Sequence, residues 1–373
     1  VFAFDIFGLS KNEPEALYGN GEKLFNMSLS PAKSGDKWGY IGEDGKFVIS
    51  PQFDCAYPFD ENVNGNAAVS NESSYGFINN KGEFTVEPQF KLASYYSDNG
   101  LSVVTAGDGY MLYVDAKGRT AYDNKHFTYA HHFESGAPYT FAYTVMTQDA
   151  KDDKGETVSD ITDEYYLLST DGKTVTVLSD RMGIDCVFGE YYVGFTKNVN
   201  EGSNDFTKRS YAVFSADGEQ KSEWYDRIFV TDEFVLMCKT DNETRIYKAA
   251  VYDRELNKLS DEYYCDRNPE FADSGLVLIK RDGERFRKAL VNRNGGKLGE
   301  VYVAADGTDV ISAFDRSGIA CVYEKGKYCG YTIGGKVFEC DYAFTAFNSG
   351  LAPYYDNGKI GYINAGGEVV INA

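Results

Sequence analysis

The sequence repeats itself, and this repeat limits the possible folds more than any other feature of the chain. Residues 38–53 and 75–90 share an aromatic-Gly start, a polar turn that ends in Gly, and a Pro-Gln-Phe end. Weaker copies of the same pattern occur at residues 110–118, 165–172, 211–218, 247–253, 288–295, 330–335 and 361–367. The period is about 40 residues, which is typical of repeat proteins.

Each copy has the pattern of short antiparallel strands. An aromatic and apolar strand ends in a turn with Asp or Asn before Gly, residue types that accept a positive φ. A second strand and a Pro-x-Phe corner follow, and a third strand opens at Gly-Leu/Ala-x-Val. We therefore predict an all-β repeat protein of about nine units, each with three or four strands.

The two ends of the chain favour a propeller-like closure of these units. The hairpin at residues 359–371 lacks a third strand in this interpretation, and the N-terminal segment 1–37 contains a strand candidate at Lys23–Ser28. Pairing of the two would remove two exposed sheet edges. An open β-solenoid is the alternative. Residues 38–373 are predicted to form a single repeat domain with a long polar loop insert at 148–163.

Several residues resemble a known family. They lie at 37–41, 45–46, 51–54, 65–69, 75–90, 330–336, 350–352 and 359–371. Together they resemble the WG-containing repeat, a bacterial β-repeat family with Trp/Tyr-Gly-Tyr/Phe-Ile-Asp-x-x-Gly-Lys, then Pro-x-Tyr/Phe-Asp and Gly-Leu-Ala-x-Val. The resemblance covers about 38–120 and 327–373, and one copy keeps the Trp. It implies surface or exported proteins with interaction roles, and no catalytic residues.

The charge of the chain excludes some partners. The formal net charge is −20, and nucleic acids and anionic membrane surfaces both require a basic face. No apolar stretch is long enough for a membrane span. We expect a protein or a glycan at the cell surface as the partner, no membrane insertion, and self-association as a further option.

The location is also an expectation. The given sequence begins with Val1 and not with Met, so we expect a leader outside it and an extracellular or cell-surface location.

The seven cysteines have neither CxxC pairs nor the spacing of a zinc site. A Gly334-Gly335 turn would place Cys329 directly opposite Cys340 on a hairpin, where a disulfide bridge is possible. Two buried thiols are the alternative.

A search for catalytic or metal-binding motifs finds none. His131 and His132 are neighbours, and adjacent residues on a strand point to opposite faces, so they rarely bind one ion together. The acids in the insert lack the spacing of a calcium loop. We predict no catalytic residue, no metal site and no cofactor.

Tyrosine doublets outside the repeat pattern are the candidate binding residues. On a strand, one ring of each doublet should face outward, where it can stack on a sugar. The doublets are Tyr95 and Tyr96, Tyr191 and Tyr192, Tyr263 and Tyr264, and Tyr354 and Tyr355.

These features favour a non-enzymatic, exported interaction module that binds a protein or a cell-surface polysaccharide. One alternative is a propeller-type enzyme that acts on glycans, with carboxylates around a channel. Another is a structural subunit of a surface polymer, for which self-association would be diagnostic.

Overall fold

The computed structural model describes residues 27–60, 65–151, 157–173, 175–179, 181–196, 209–231, 233–265, 271–272, 275–294 and 297–373. Within these ranges 32 strands form eight antiparallel sheets, which we name A to H in chain order. A short 3-10 helix spans Tyr122–Asn124. None of the described helices has the length and apolarity needed to cross a membrane. The chain divides into two compact units, Val1–Glu223 and Trp224–Ala373, and each is described by itself.

The first unit contains five sheets. Sheet A consists of β1 (Leu29–Ser34), β2 (Lys37–Gly42) and β3 (Phe47–Phe53). Sheet B consists of β4 (Cys55–Ala56), β5 (Asn66–Asn71), β6 (Ser74–Asn79) and β7 (Phe84–Phe90). Sheet C consists of β8 (Leu92–Tyr96), β9 (Ser102–Thr105) and β10 (Met111–Val114). Sheet D consists of β11 (Tyr129–Ala130), β12 (Tyr139–Lys151), β13 (Thr157–Ser169) and β14 (Val175–Val177). Sheet E consists of β15 (Met182–Phe188), β16 (Tyr191–Thr196) and β17 (Tyr211–Ser215).

The second unit contains three sheets. Sheet F begins with β18 (Arg227–Val230), β19 (Val235–Thr240), β20 (Tyr247–Tyr252) and β21 (Tyr263–Cys265). It continues with β22 (Phe271–Ala272), β23 (Gly275–Asp282), β24 (Arg285–Asn294) and β25 (Lys297–Val303). Sheet G consists of β26 (Asp309–Val310), β27 (Ala320–Glu324), β28 (Lys327–Thr332) and β29 (Gly335–Cys340). Sheet H consists of β30 (Leu351–Asp356), β31 (Lys359–Asn364) and β32 (Val369–Ile371).

The all-β prediction is confirmed, and the start of each of the nine sequence copies lies on or directly beside its own strand. These strands are β2, β6, β10, β13, β17, β20, β24, β28 and β31. Copies six and seven share sheet F, because one residue pair links β21 to β23. The turn acids also have the expected role: Asp44 accepts a hydrogen bond from the Lys46 amide at 3.0 Å, ahead of the β3 strand.

The grouping of strands into sheets differs from the sequence prediction. The Gly-Leu/Ala-x-Val strand pairs with the copy that follows it, as β5 does with β6 and β30 with β31. A two-residue turn explains this pairing, because Glu72 and Ser73 both have a positive φ. The hairpin at 359–371 therefore has its third strand, β30. The strand candidate Lys23–Ser28 lies mostly outside the described residues, and closure into a ring stays a prediction.

The polar insert at 148–163 also differs from the prediction of a long loop. Residues 148–151 and 157–163 extend a hairpin, with a continuous register from Tyr139 opposite Ser169 to Lys151 opposite Thr157. The segment contains several β-branched residues, which favour strands.

The core lies between consecutive sheets. Tyr40 and Ile49 of sheet A pack against Ala67 and Ile78 of sheet B. The neighbour of Ile78 in the chain, Phe77, packs on the opposite face against sheet C. Sheet B therefore buries both faces, and it depends on sheets A and C for its core.

The glycine of the aromatic-Gly pair is required by a close approach of two strands. Gly39 stands opposite three residues of β3 (50–52), because Trp38 pairs with Phe53 and Tyr40 with Ile49. A Cβ atom on Gly39 would lie 2.7 Å from the backbone nitrogen of Pro51 and closer still to the Ile49 carbonyl oxygen. Sheet B has the same bulge, and there a Cβ atom on Gly76 would lie 2.8 Å from the nitrogen of Pro88.

The predicted bridge between Cys329 and Cys340 is not supported. The turn lies at Ile333 and Gly334, because Thr332 pairs with Gly335. With the bulge after Gly330, Cys329 then stands opposite Glu339 and Cys340 opposite Tyr328. The two thiols then point to opposite faces. Cys329 packs in the core between sheets F and G, and Cys340 packs in the core between sheets G and H. Both are free cysteines.

We predict that Gly39→Ala lowers the free energy of unfolding by about 1–3 kcal/mol, because the added methyl group must displace the backbone of β3. Gly107→Ala in the same unit is the matched control, since a Cβ atom there meets nothing within 4 Å. Urea denaturation of both variants measures the difference. Equal effects of the two substitutions would contradict the requirement for close approach.

Candidate functional site

A cleft in the second unit brings polar and aromatic side chains together, with a volume of about 500 Å³. Among the described residues, Tyr264 of β21 pairs with Ile279 of β23, and both line the cleft. At the other wall, the Leu298 amide donates a hydrogen bond of 3.1 Å to the Leu259 carbonyl and holds the start of β25 in place. The lining residues are Lys258, Leu259, Ser260, Asp261, Glu262, Tyr263, Tyr264, Ile279, Lys280, Arg281, Lys297, Leu298 and Glu300.

An ion pair between Lys280 and Glu300 lies in the cleft, and Tyr263 is hydrogen-bonded to it. Lys280 Nζ lies 2.8 and 3.0 Å from the two carboxylate oxygens of Glu300. The Tyr263 hydroxyl donates a hydrogen bond to Glu300 Oε1 at 3.3 Å. Burial, and then the neighbouring Glu300 carboxylate, raise the pKa of Tyr263, so its hydroxyl stays a donor. The three side chains form a fixed polar wall that offers both donors and acceptors.

Tyr264 is held by a second set of contacts. A hydrogen bond with Tyr264 raises the pKa of Arg281, whose guanidinium also lies 3.6 Å from the Glu243 carboxylate. The Phe286 ring meets Tyr264 edge-on, with centroids 5.3 Å apart and an interplanar angle of 75°. These contacts orient the Tyr264 ring at the edge of the cleft before any ligand binds.

The four predicted tyrosine doublets lie on four different sheets, C, E, F and H. Two of them alternate as the strand pattern predicts: Tyr95 is 59% exposed and Tyr96 4%, and Tyr355 is 64% exposed and Tyr354 2%. In the doublet of sheet E, Tyr192 is buried and Tyr191 half-buried.

The doublet of sheet F differs from the others. Tyr263 and Tyr264 are both half-buried, and both line the cleft. It is therefore the doublet that combines ring surface with a concave site.

Sequence reasoning missed Lys280, Arg281 and Glu300. Lys280 lies on β23 and Glu300 on β25, with β24 between them, and the register places Lys280 opposite Arg287 and Glu300 opposite Val291. No sequence pattern marks such a pair among the many charged residues of this chain.

The adjacent histidines of the first unit have separate surroundings. His131 stacks on Phe141, with centroids 5.1 Å apart, and His132 stacks on Tyr95 at 4.9 Å. Only a small cavity of about 40 Å³ adjoins them. In the described part of the chain, no three His, Cys, Asp or Glu side chains are grouped as metal ligands. Burial, and then the neighbouring His131, lower the pKa of His132 to about 4.

The pKa of His132 predicts a loss of stability in acid. Because its folded pKa lies below the ordinary value of 6.5, stability is complete above that value and falls as the pH drops toward 4. Between about pH 7 and pH 4.5, we expect the free energy of unfolding of His132→Gln to fall by about 1–3 kcal/mol less than that of the native protein. His126→Gln, which removes a half-buried histidine that pairs with Asp108, is the control. Identical pH profiles for the native protein and His132→Gln, measured by denaturant unfolding, would refute the assignment.

Comparisons with known proteins give one family match. No curated protein matches the sequence. Among solved structures, acylaminoacyl peptidase of Pyrococcus horikoshii is similar at 11% identity and a TM-score of 0.33, with 90% of this chain and 52% of that chain covered. This chain thus spans about half the length of the peptidase.

Two further structures are similar at the same level. The β-propeller domain of the Trilobed protease from Pyrococcus furiosus, which has an open velcro topology, has 10% identity and a TM-score of 0.30, covering 62% of this chain and 81% of that one. BamB from Moraxella catarrhalis has 10% identity and a TM-score of 0.26, covering 89% and 95%. Likenesses of this size carry no argument about function. The family model described as WG containing repeat matches residues 38–72 and 75–110, so this chain carries two repeats of the WG-containing repeat family.

Proposed function

We propose that the protein is a non-enzymatic, exported interaction module, and that its cleft binds a segment of a cell-surface polysaccharide. The observation that carries this proposal is the cleft itself, where Tyr263 and Tyr264 lie beside the fixed Lys280–Glu300 pair. Aromatic surface combined with a few oriented polar groups suits a hydroxyl-rich ligand. A protein ligand is the alternative, and the same cleft would then receive a protruding side chain.

The charge balance of the cleft supports a neutral ligand over a strongly anionic one. Its lining contains four basic and three acidic residues, and two of the basic residues are already paired with carboxylates. A chain with a net charge of −20 also repels polyanions at long range.

The carboxyl groups support binding over hydrolysis. Hydrolysis of a glycosidic bond needs two carboxyl groups, one of them an acid with a raised pKa. Six carboxyl groups in the described part of the chain have a pKa shifted downward from the ordinary value. They are Asp54, Asp108, Asp115, Asp217, Asp241 and Glu324.

Export is proposed on two grounds. The first is the WG-containing repeat family, for which the resemblance implies surface or exported proteins. The second is the richness in tyrosine, with 30 Tyr in the chain, which suits half-wet sheet surfaces. Fractionation of the source cells with an antibody against the protein tests this part, and a purely cytosolic signal would overturn it.

Binding to an array of purified cell-surface polysaccharides tests the ligand class. We expect Tyr264→Ala to weaken binding at least about ten-fold, since it removes the oriented ring. Tyr355→Ala is the matched control, because Tyr355 is exposed on another sheet of the same unit. Thermal unfolding of both variants shows whether the fold is intact.

The other outcomes separate the alternatives. If Tyr355→Ala loses binding and Tyr264→Ala does not, the binding site lies at the outward-facing tyrosines and not in the cleft. Release of reducing ends from a polysaccharide, abolished by Glu300→Gln, would show that the protein is an enzyme. Binding to a protein but to no polysaccharide would show that the ligand is a protein.

A further inference from the structure

The outer face of sheet H exposes an apolar pair. Tyr362 of β31 stands directly opposite Ile371 of β32. Tyr362 is 36% exposed and Ile371 49%. Ile360 lies on the same face, two residues before Tyr362, and is 49% exposed. Within the described part of the second unit, no further sheet packs on this face.

The same pair is buried in the two clearest repeats. Tyr40 stands opposite Ile49 in sheet A, and Phe77 stands opposite Val86 in sheet B. All three pairs have a register shift immediately after the aromatic residue. Tyr40 and Phe77 are 0% exposed, and their aliphatic partners are 4% exposed. Sheet H therefore repeats the local geometry of sheets A and B, and it differs in the exposure of the pair.

Sheets B and C show what covers such a pair. Tyr40 and Ile49 pack against Ala67, Val69 and Ile78, which lie on the β5 and β6 strands of the following sheet. Sheet C covers Phe77 in the same way with small and aliphatic residues, among them Ala93, Val104 and Leu112. The partner of the pair is thus a second repeat sheet, which covers the pair with small, aliphatic and aromatic residues.

We propose that the outer face of sheet H binds sheet A of a second copy of this chain. The register identifies the matching face: Ala32 stands opposite Gly39 as Val69 stands opposite Gly76. By the same register, Ile41 of sheet A is the equivalent of Ile78. Both Ala32 and Ile41 are partly exposed.

A contact between two different faces joins copies head to tail. Such a contact leaves one free face at each end, so it continues into an open chain of copies unless it closes into a ring. This inference goes beyond the cleft and does not depend on the proposed ligand.

The charge of the protein sets the salt dependence of this association. Copies with a net charge of −20 repel each other, and added salt screens that repulsion. Sulfate also strengthens the burial of apolar surface. Association through this face must therefore increase with salt, whereas a contact made by ion pairs would weaken.

Sedimentation velocity of the full chain tests the proposal. We expect species that grow with protein concentration and with sodium sulfate. Tyr362→Arg should raise the dissociation constant of this association at least about ten-fold, because it places a charge in the apolar contact. Val337→Lys is the matched control, since Val337 is 54% exposed on sheet G.

Mixing two variants tests the head-to-tail arrangement. Tyr362→Arg keeps the face of sheet A, and Ile41→Arg keeps the face of sheet H. Each variant alone should be monomeric, and the mixture should form dimers but nothing larger than a dimer. Circular dichroism of each variant shows whether it is folded.

Three results would overturn the proposal. One is a native protein that stays monomeric at all concentrations and salt levels. Another is association that Tyr362→Arg leaves unchanged. The third is a native monomer whose thermal stability falls in Tyr362→Arg but not in Val337→Lys, which would mean that the same chain covers this face.

Discussion

The close approach of two strands at Gly39 and Gly76 is the constraint on which the repeat depends. A hydrogen atom fits where the next strand crosses, and a methyl group would meet the backbone at Pro51 or Pro88. The bulge at this point places three residues opposite one glycine. It also sets the aromatic residue after the glycine against an aliphatic residue of the next strand. That pair then faces the following sheet.

Stacking of sheets through these pairs explains both the stability of a unit and the position of its candidate site. An inner sheet such as B buries both faces against its neighbours, so a repeat has no complete core alone. The cleft borders the core of sheet F, since Leu259, Tyr263 and Leu298 line the cleft and also belong to or pack against that core. Ion pairs and ring contacts fix the polar and aromatic side chains at the edge of the cleft.

Much of the fold was predictable because it depends on local chemistry. Asp or Asn before Gly marks the turns, and alternation along a strand places Tyr95 outside and Tyr96 inside. The grouping of strands, the hairpin at 148–163 and the positions of Cys329 and Cys340 were predicted wrongly. The grouping of strands depends on two-residue turns such as Glu72–Ser73, and the positions of Cys329 and Cys340 depend on the place of a turn and on a bulge. The hairpin at 148–163 depends on strand pairing across a polar sequence. The charged residues of the cleft were not predictable, because Lys280 and Glu300 lie on strands separated by β24 and no strand pairing aligns them.

The central claim is that consecutive sheets interlock through the repeated aromatic position. Phe77 of sheet B and Tyr96 of sheet C are the most direct probe, since their ring centroids lie 4.7 Å apart. A double-mutant cycle with Phe77→Leu and Tyr96→Leu, measured by denaturant unfolding, gives their coupling energy. The account predicts a coupling of about 0.5–1.5 kcal/mol in favour of the native pair. Strictly additive effects of the two substitutions would contradict it.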